Sequence, residues 1–344
     1  MNEKAGDPAG LRIGILGNGS WSTAIAKILT DNHFRVLWWF RKLEDIEYLK
    51  QFRHNPRYLS SVHFDLRKLE LSNSAQEVIR KSDWIFIGLP SAFLADVLRE
   101  LPQTIFENKS VVSGVKGIIP EGNVLLHQYL QQRFEFPLSS YFSLTGPCHA
   151  EEVAEEKLSY LTISGQNTAA CTKIARRFNT SYLRTIVNED IWGAQYAAVL
   201  KNIYAIGAGM AHASGYGDNF LAVFISNCAR EMALFNRAIC NRQSVSSPAD
   251  HVFMSAYLGD LLVTCYSPHS RNRTLGTMLG KGYTVKSALM ELGMVAEGYY
   301  ASKCIADVGK TLTLNMPIAE GIHQVLWERA AVKQVLSAME SSLL

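Results

Sequence analysis

The 344-residue chain has no apolar run long enough to cross a bilayer, no cluster of basic residues, no low-complexity linker, no sequence repeat and no paired cysteines. The first absence argues against a transmembrane helix, which needs about 20 consecutive apolar residues. The opening MNEKAGDPAG is polar and lacks the apolar core of a signal peptide, so a soluble cytoplasmic protein is expected. The formal net charge of +3 is too small and too dispersed to draw nucleic acid or an anionic membrane. Six cysteines (Cys148, Cys171, Cys228, Cys240, Cys265, Cys304) stand without CxxC spacing or interleaved histidines. That pattern speaks against zinc, or any other metal, and for reduced, mostly buried thiols. What is present is an ordinary soluble composition, 48% apolar and 19% charged, at a length that suggests two domains.

The most informative stretch is LRIGILGNGSWSTAIAKIL, Leu11 to Leu29, which reads as strand, tight turn and helix. Ile13, Ile15 and Leu16 suit a buried strand, Gly17 and Gly19 permit a turn that a β-carbon would obstruct, and Ala24, Ile25, Ile28 and Leu29 mark one helix face. Such a turn presents backbone N–H groups at the positive end of a helix dipole, which suits a pyrophosphate. The third small position of the dinucleotide-binding fingerprint is Ser22 rather than Gly or Ala, still small enough for close helix-to-strand packing. RVLWWF, Arg35 to Phe40, reads as the next parallel strand, and Arg41 follows it. At that place a carboxylate selects NAD and a cation tolerates a 2′-phosphate, so Arg41 and Lys42 lean towards NADPH, although Glu44 and Asp45 also lie within reach.

Residues 43–82 read as a crossover and a lid, with a helical piece at AQEVIRKSD. Further strands are expected at Trp84–Leu89, Ser110–Val115, Tyr141–Leu144, Leu158–Gly165 and Tyr182–Val187, with a helix at Ala169–Phe178. The strand ends Pro90–Ser91 and Lys116–Gly117 should open on the ligand crevice, because doubly wound sheets bind ligands at the carboxyl ends of their strands. Lys116 is a candidate ligand contact, since the adjacent glycine lets the backbone approach closely. From Ile191 the pattern is helical almost to the end, with breaks near Gly215, Pro248, Pro268 and Pro317. The expected architecture is therefore α/β: a Rossmann-type doubly wound sheet over residues 1–188, then an all-α substrate domain over residues 189–344.

Inside the first apolar helix of that second half stands Lys201. A buried ammonium is costly unless it faces an ion or a polar cavity, and burial moves its pKa towards a useful acid/base range. The plain alternative is a lysine whose stem lies on apolar surface with its head in water. Asp260 heads another apolar run, where it could cap a helix or pair with a buried ammonium. Ser270, Arg271 and Asn272 supply hydroxyl, guanidinium and amide in consecutive positions, a set suited to phosphate.

These residues resemble the NAD(P)-dependent glycerol-3-phosphate dehydrogenase family. The likeness runs through GNGSWSTAIA, VKG at Val115–Gly117, GPCHAEEVA at Gly146–Ala154, LKNIYAIGAG at Leu200–Gly209, GDLLVTCYS at Gly259–Ser267, SRNRTLG at Ser270–Gly276, VAEGYYASK at Val295–Lys303 and MPIAEGIHQVL at Met316–Leu326. The resemblance implies interconversion of dihydroxyacetone phosphate and sn-glycerol 3-phosphate with NAD(P)H, NADPH slightly favoured, supplying sn-glycerol 3-phosphate for phospholipid synthesis. It makes Lys201 the catalytic acid/base, places Lys116, Gly146, Cys148, Asp260, Ser270, Arg271 and Asn272 at the substrate, and places Ser20, Trp21, Arg41, Lys116, Ala150, Arg271, Val295 and Glu297 at the cofactor. Cys148 and His149 depart from the family's pattern, and the segment Asn236–Tyr257 is longer than in its short bacterial members. Besides the phosphorylated triose, a second copy of the chain is an expected partner through the helical half. Two rivals are a hydroxy-acid dehydrogenase of the same architecture and a non-catalytic NAD(P)-binding redox sensor.

Overall fold

The computed structural model describes residues 10–245 and 249–343; the opening polar residues 1–9 and the expected break at Pro248 lie outside them. The chain divides into two compact units. Of the described residues, the first takes those up to 89, 93–115 and 126–191, and the second 90–92, 116–125 and those from 192 onward. The continuous division at residue 188 thus misses two short excursions, which carry Ser91 and Lys116 into the second unit.

The first unit is built on eight described strands: β1 (Ile13–Leu16), β2 (Val36–Trp39), β3 (Leu69–Ser72), β4 (Trp84–Ile87), β5 (Ser110–Ser113), β6 (Tyr141–Thr145), β7 (Ser159–Ser164) and β8 (Leu183–Asn188). Their order in the sheet is β3-β2-β1-β4-β5-β6-β7-β8. Its first six strands have the 3-2-1-4-5-6 order of the doubly wound dinucleotide-binding fold. β6 and β7 run antiparallel, and the other neighbouring pairs are parallel. The helices before residue 190 are α1 (Ser20–Asp31), α2 (Leu43–Phe52), α3 (Ala75–Lys81), α4 (Ser91–Leu98), α5 (Leu126–Phe134), α6 (Ala150–Ala154) and α7 (Thr168–Phe178). Buried residues of β1, β2, β6 and β7 form one core with Ala24, Ile25 and Ile28 of α1 and Ile174 and Phe178 of α7.

Residues 43–82 correct one expectation. Instead of a lid, they hold α2, the edge strand β3 and α3, and the intervening loop buries Val62 and Phe64 in the core. β3 pairs only with β2 and is just partly buried, so its sequence LELS lacks the apolar run that betrays a central strand.

The second unit is helical: α8 (Ile191–Ala213), α9 (Asp218–Gln243), α10 (Asp260–Tyr266), α11 (Arg271–Gly280), α12 (Val285–Leu292), α13 (Glu297–Leu312), α14 (Pro317–Trp327) and α15 (Val332–Glu340). Every residue of α8 from Ile191 to Ala211 is buried, as an all-round apolar helix requires. Glycines let backbones meet against it: a β-carbon on Gly276 of α11 would sit 1.9 Å from the Ile206 carbonyl oxygen. One on Gly298 of α13 would sit 2.4 Å from that of Asn202. Within the segment Asn236–Tyr257, the residues up to Gln243 finish α9, and Ser255 opens a π-helical turn, Ser255–Gly259, that runs directly into α10.

Candidate active site

In the first unit, β1 delivers the chain into Gly17, whose φ of +113° lies in the left-handed region, and a β-carbon there would sit 3.0 Å from the Gly88 carbonyl. Gly19 caps α1, and a β-carbon at Gly19 would meet nothing within 4 Å. No side chain caps α1 and its first turn carries no acidic residue. Open space over uncapped N–H groups, with no competing carboxylate, fits a pyrophosphate, and Ser20 and Trp21 occupy that first turn. Ser22 resolves the fingerprint's third position: fully buried, it donates its hydroxyl to the Gly88 carbonyl at 3.2 Å, so a serine packs where a glycine or alanine would. Arg41 is exposed just beyond β2. Of the two acids behind it, Asp45 is committed to the Asn18 amide and to Arg57, whereas Glu44 is exposed in the first turn of α2. Gly146 follows β6 with φ +118°, but Cys148 and Ala150 belong to the hydrophobic core. Cys148 is 6% exposed.

In the second unit the polar candidates converge. Lys201, 4% exposed on α8, pairs with Asp260, 1% exposed at the start of α10. Burial pulls the Lys201 ammonium down to about 8, Asp260 opposes the shift, and the Lys116 ammonium adds to it. The alternative of a solvated Lys201 is thereby removed. Lys116 is half-buried, and its carbonyl accepts from the Asn202 amide at 3.0 Å. Asn202 in turn accepts from Asn272, whose own oxygen accepts from the Gly298 N–H, both at 2.9 Å. Ser270 caps α11, its oxygen accepting from the Arg273 N–H, so its hydroxyl hydrogen stays available to an anion. Arg271 opens that helix and acts electrostatically on the half-buried Glu297. The Glu297 carboxylate takes both the N–H and the hydroxyl of Ser91, at 2.9 and 2.6 Å, and burial raises its pKa. Val295 lies in the connection just before α13.

The family model described as NAD-dependent glycerol-3-phosphate dehydrogenase N-terminus matches residues 12–171, and its C-terminus counterpart matches residues 190–337. Glycerol-3-phosphate dehydrogenase [NAD(P)+] of Chlorobium limicola is 32% identical over 95% of this chain and 96% of its own length. The chain belongs to the NAD-dependent glycerol-3-phosphate dehydrogenase family. The enzyme of the same name from Bacillus pumilus is 32% identical over 96% of this chain and 93% of its own. The crystal structure of glycerol-3-phosphate dehydrogenase from Coxiella burnetii covers 96% of this chain and 98% of its own, with TM-score 0.85 and 25% identity.

Ser91 is marked in the sequence as part of the strand end Pro90–Ser91, but two buried polar residues of this dehydrogenase carry no such mark. Asn55, fully buried in the loop after α2, binds the glycine turn and has no local pattern to reveal it. Glu231 on α9, 5% exposed, accepts from the Tyr204 hydroxyl and from the N–H groups of Ile318 and Ala319 at the start of α14. Burial pushes its pKa up to about 7.

Proposed function

We infer that this chain reduces dihydroxyacetone phosphate to sn-glycerol 3-phosphate, reversibly, with Lys201 as the proton donor. The buried Lys201–Asp260 pair carries the reading, because an ion pair withdrawn from water is weak evidence of stability and better evidence of chemistry. When bound, NAD(P)H supplies the hydride that the carbonyl carbon takes up. The Lys201 ammonium polarises the carbonyl oxygen and delivers its proton there. Asp260 holds that ammonium in one orientation, and Lys116 lowers the cost of releasing the proton. Arg271, the Ser270 hydroxyl and the N–H groups opening α11 receive the phosphate. The Asn272 side chain bridges Asn202 and Gly298 with its oxygen and one amide hydrogen, which fixes the start of α11 and leaves its second amide hydrogen and its backbone N–H for the phosphate. Holding the phosphate far from the reacting carbon orients the ketone.

Gly17, Gly19, Ser20 and Trp21 hold the pyrophosphate, and the exposed Arg41 guanidinium favours the 2′-phosphate of NADPH over NADH. Cytoplasmic location, homodimer assembly and supply of glycerol 3-phosphate to phospholipid synthesis belong to the same reading; fractionation and sedimentation velocity test the first two. The substrate assignment is tested by following nicotinamide absorbance with dihydroxyacetone phosphate beside 2- and 3-keto acids. Turnover confined to the phosphorylated ketone is expected. Preference for a keto acid points to the hydroxy-acid rival, and cofactor binding without turnover points to the sensor.

A further inference from the structure

The three carbonyls of the Gly17–Asn18–Gly19 turn each accept a hydrogen bond from a side chain of the first unit. The Trp38 indole on β2, fully buried, donates to the Gly17 oxygen at 2.7 Å. The Asn55 amide donates to the Asn18 oxygen at 2.9 Å and, with its second hydrogen, to the Thr23 hydroxyl oxygen at 2.9 Å. Thr23 passes the chain on, its hydroxyl donating to the Gly19 oxygen at 2.9 Å. Asn55 is itself fixed, since its oxygen accepts from the N–H groups of Arg57 and Tyr58 at 3.0 and 3.3 Å. Asn55 and Thr23 are both 0% exposed, so these bonds compete with no bulk water.

A planar trans peptide sets its N–H opposite its C=O, and no described peptide is cis. Carbonyls drawn to buried donors therefore turn the N–H groups of Asn18, Gly19 and Ser20 the other way, into a row of donors at the start of α1. The open space at Gly19 lies beside that row. We propose that Asn55, through Thr23 and alongside Trp38, is the positioning residue that sets these peptide planes for the cofactor's pyrophosphate. The proposal rests on placing that group at the Gly17–Trp21 turn. It gives the HNPRY loop a task in cofactor affinity that needs no direct contact with the cofactor.

The test measures NADPH dissociation constants and steady-state kinetics for Asn55→Ala and Thr23→Val. With Asn55→Ala the NADPH dissociation constant rises about tenfold, the loss of about one buried bond's worth of orientation, while the KM for dihydroxyacetone phosphate stays within about twofold. Thr23→Val, nearly isosteric, gives a smaller rise of about threefold and guards against an Asn55 variant that fails to fold. ADP, which carries a pyrophosphate, weakens as an inhibitor of Asn55→Ala in parallel, whereas adenosine does not. A merely structural role lowers the active fraction, hence kcat, and leaves these constants and the ADP-to-adenosine ratio unchanged. Folded variants of both kinds that bind NADPH and ADP as the unaltered chain does overturn the proposal. Gly19→Glu separates the two layers, because a β-carbon at Gly19 meets nothing within 4 Å and the added carboxylate repels a pyrophosphate. If this variant keeps NADPH affinity, the placement of the pyrophosphate itself is wrong; if it alone loses affinity, only the role of Asn55 fails.

Discussion

Replacing Lys201 by Met removes the amine while keeping most of the side-chain volume on α8. Loss of a positioned general acid costs about 10²–10⁴ in rate, or roughly 3–5 kcal/mol of transition-state stabilisation. The same change leaves Asp260, 1% exposed, without its cation, a loss of about 3–5 kcal/mol of folding stability unless the carboxyl takes up a proton. The companion Lys201→Met/Asp260→Asn variant relieves the stranded charge, so recovered stability with no recovered turnover separates chemistry from folding. The assay is NAD(P)H oxidation with dihydroxyacetone phosphate, read beside the NADPH dissociation constant, which is expected to change by less than about threefold. The unaltered enzyme adds an independent signature. With the ammonium titrating near 8, ketone reduction needs the protonated form and kcat/KM falls as pH rises through that value. Oxidation of glycerol 3-phosphate needs the neutral amine and rises over the same range. Lys201→Met turnover within about threefold of the unaltered chain, or profiles flat from about pH 7 to 9.5, refutes the role.

Other outcomes follow from the same geometry. Arg41→Ser raises the KM for NADPH by about tenfold, the worth of one charge-assisted phosphate contact, and leaves that for NADH nearly constant; equal changes for both cofactors contradict the assignment. Glu231→Ala strands the Tyr204 hydroxyl and two helix N–H groups, and urea denaturation should record a loss of about 3 kcal/mol. Because the folded pKa of Glu231 is raised to about 7, the folded state holds a proton that the unfolded chain has released. Its contribution is full below about pH 4.5 and declines until pH 7, a slope that Glu231→Gln removes from thermal melts. Gly276→Ala drives a β-carbon into the Ile206 carbonyl and should cost at least about 1–3 kcal/mol together with KM for the phosphorylated ketone, since α11 carries Arg271.

Much of this was legible in the chain because the signals were local. The strand, glycine turn and helix at Leu11–Leu29 announce themselves through spacing, and buried parallel strands such as WIFI at Trp84–Ile87 show as apolar runs. Lys201 stood out as a single charge in an apolar helix, and its pairing with Asp260, 59 positions away, was open to inference from chemistry alone. The edge strand β3 was missed because a strand with one neighbour and a half-exposed surface does not need an apolar run. Cys148 was assigned by the likeness of its loop to the family's, and burial in the core leaves no mark in that local pattern. Asn55 and Glu231 were invisible for a different reason: each satisfies backbone groups distant in sequence, and no periodicity records such partners.

In the reaction inferred for this chain, hydride goes to the carbonyl carbon of a phosphorylated triose. The most direct measurement incubates the protein with dihydroxyacetone phosphate and NADPH dideuterated at the reduced nicotinamide carbon, then examines the product by NMR. The account predicts sn-glycerol 3-phosphate carrying deuterium at its central carbon, one per cofactor oxidised, and none from unphosphorylated dihydroxyacetone under the same conditions. Cofactor that stays reduced, or product without deuterium at that carbon, contradicts it.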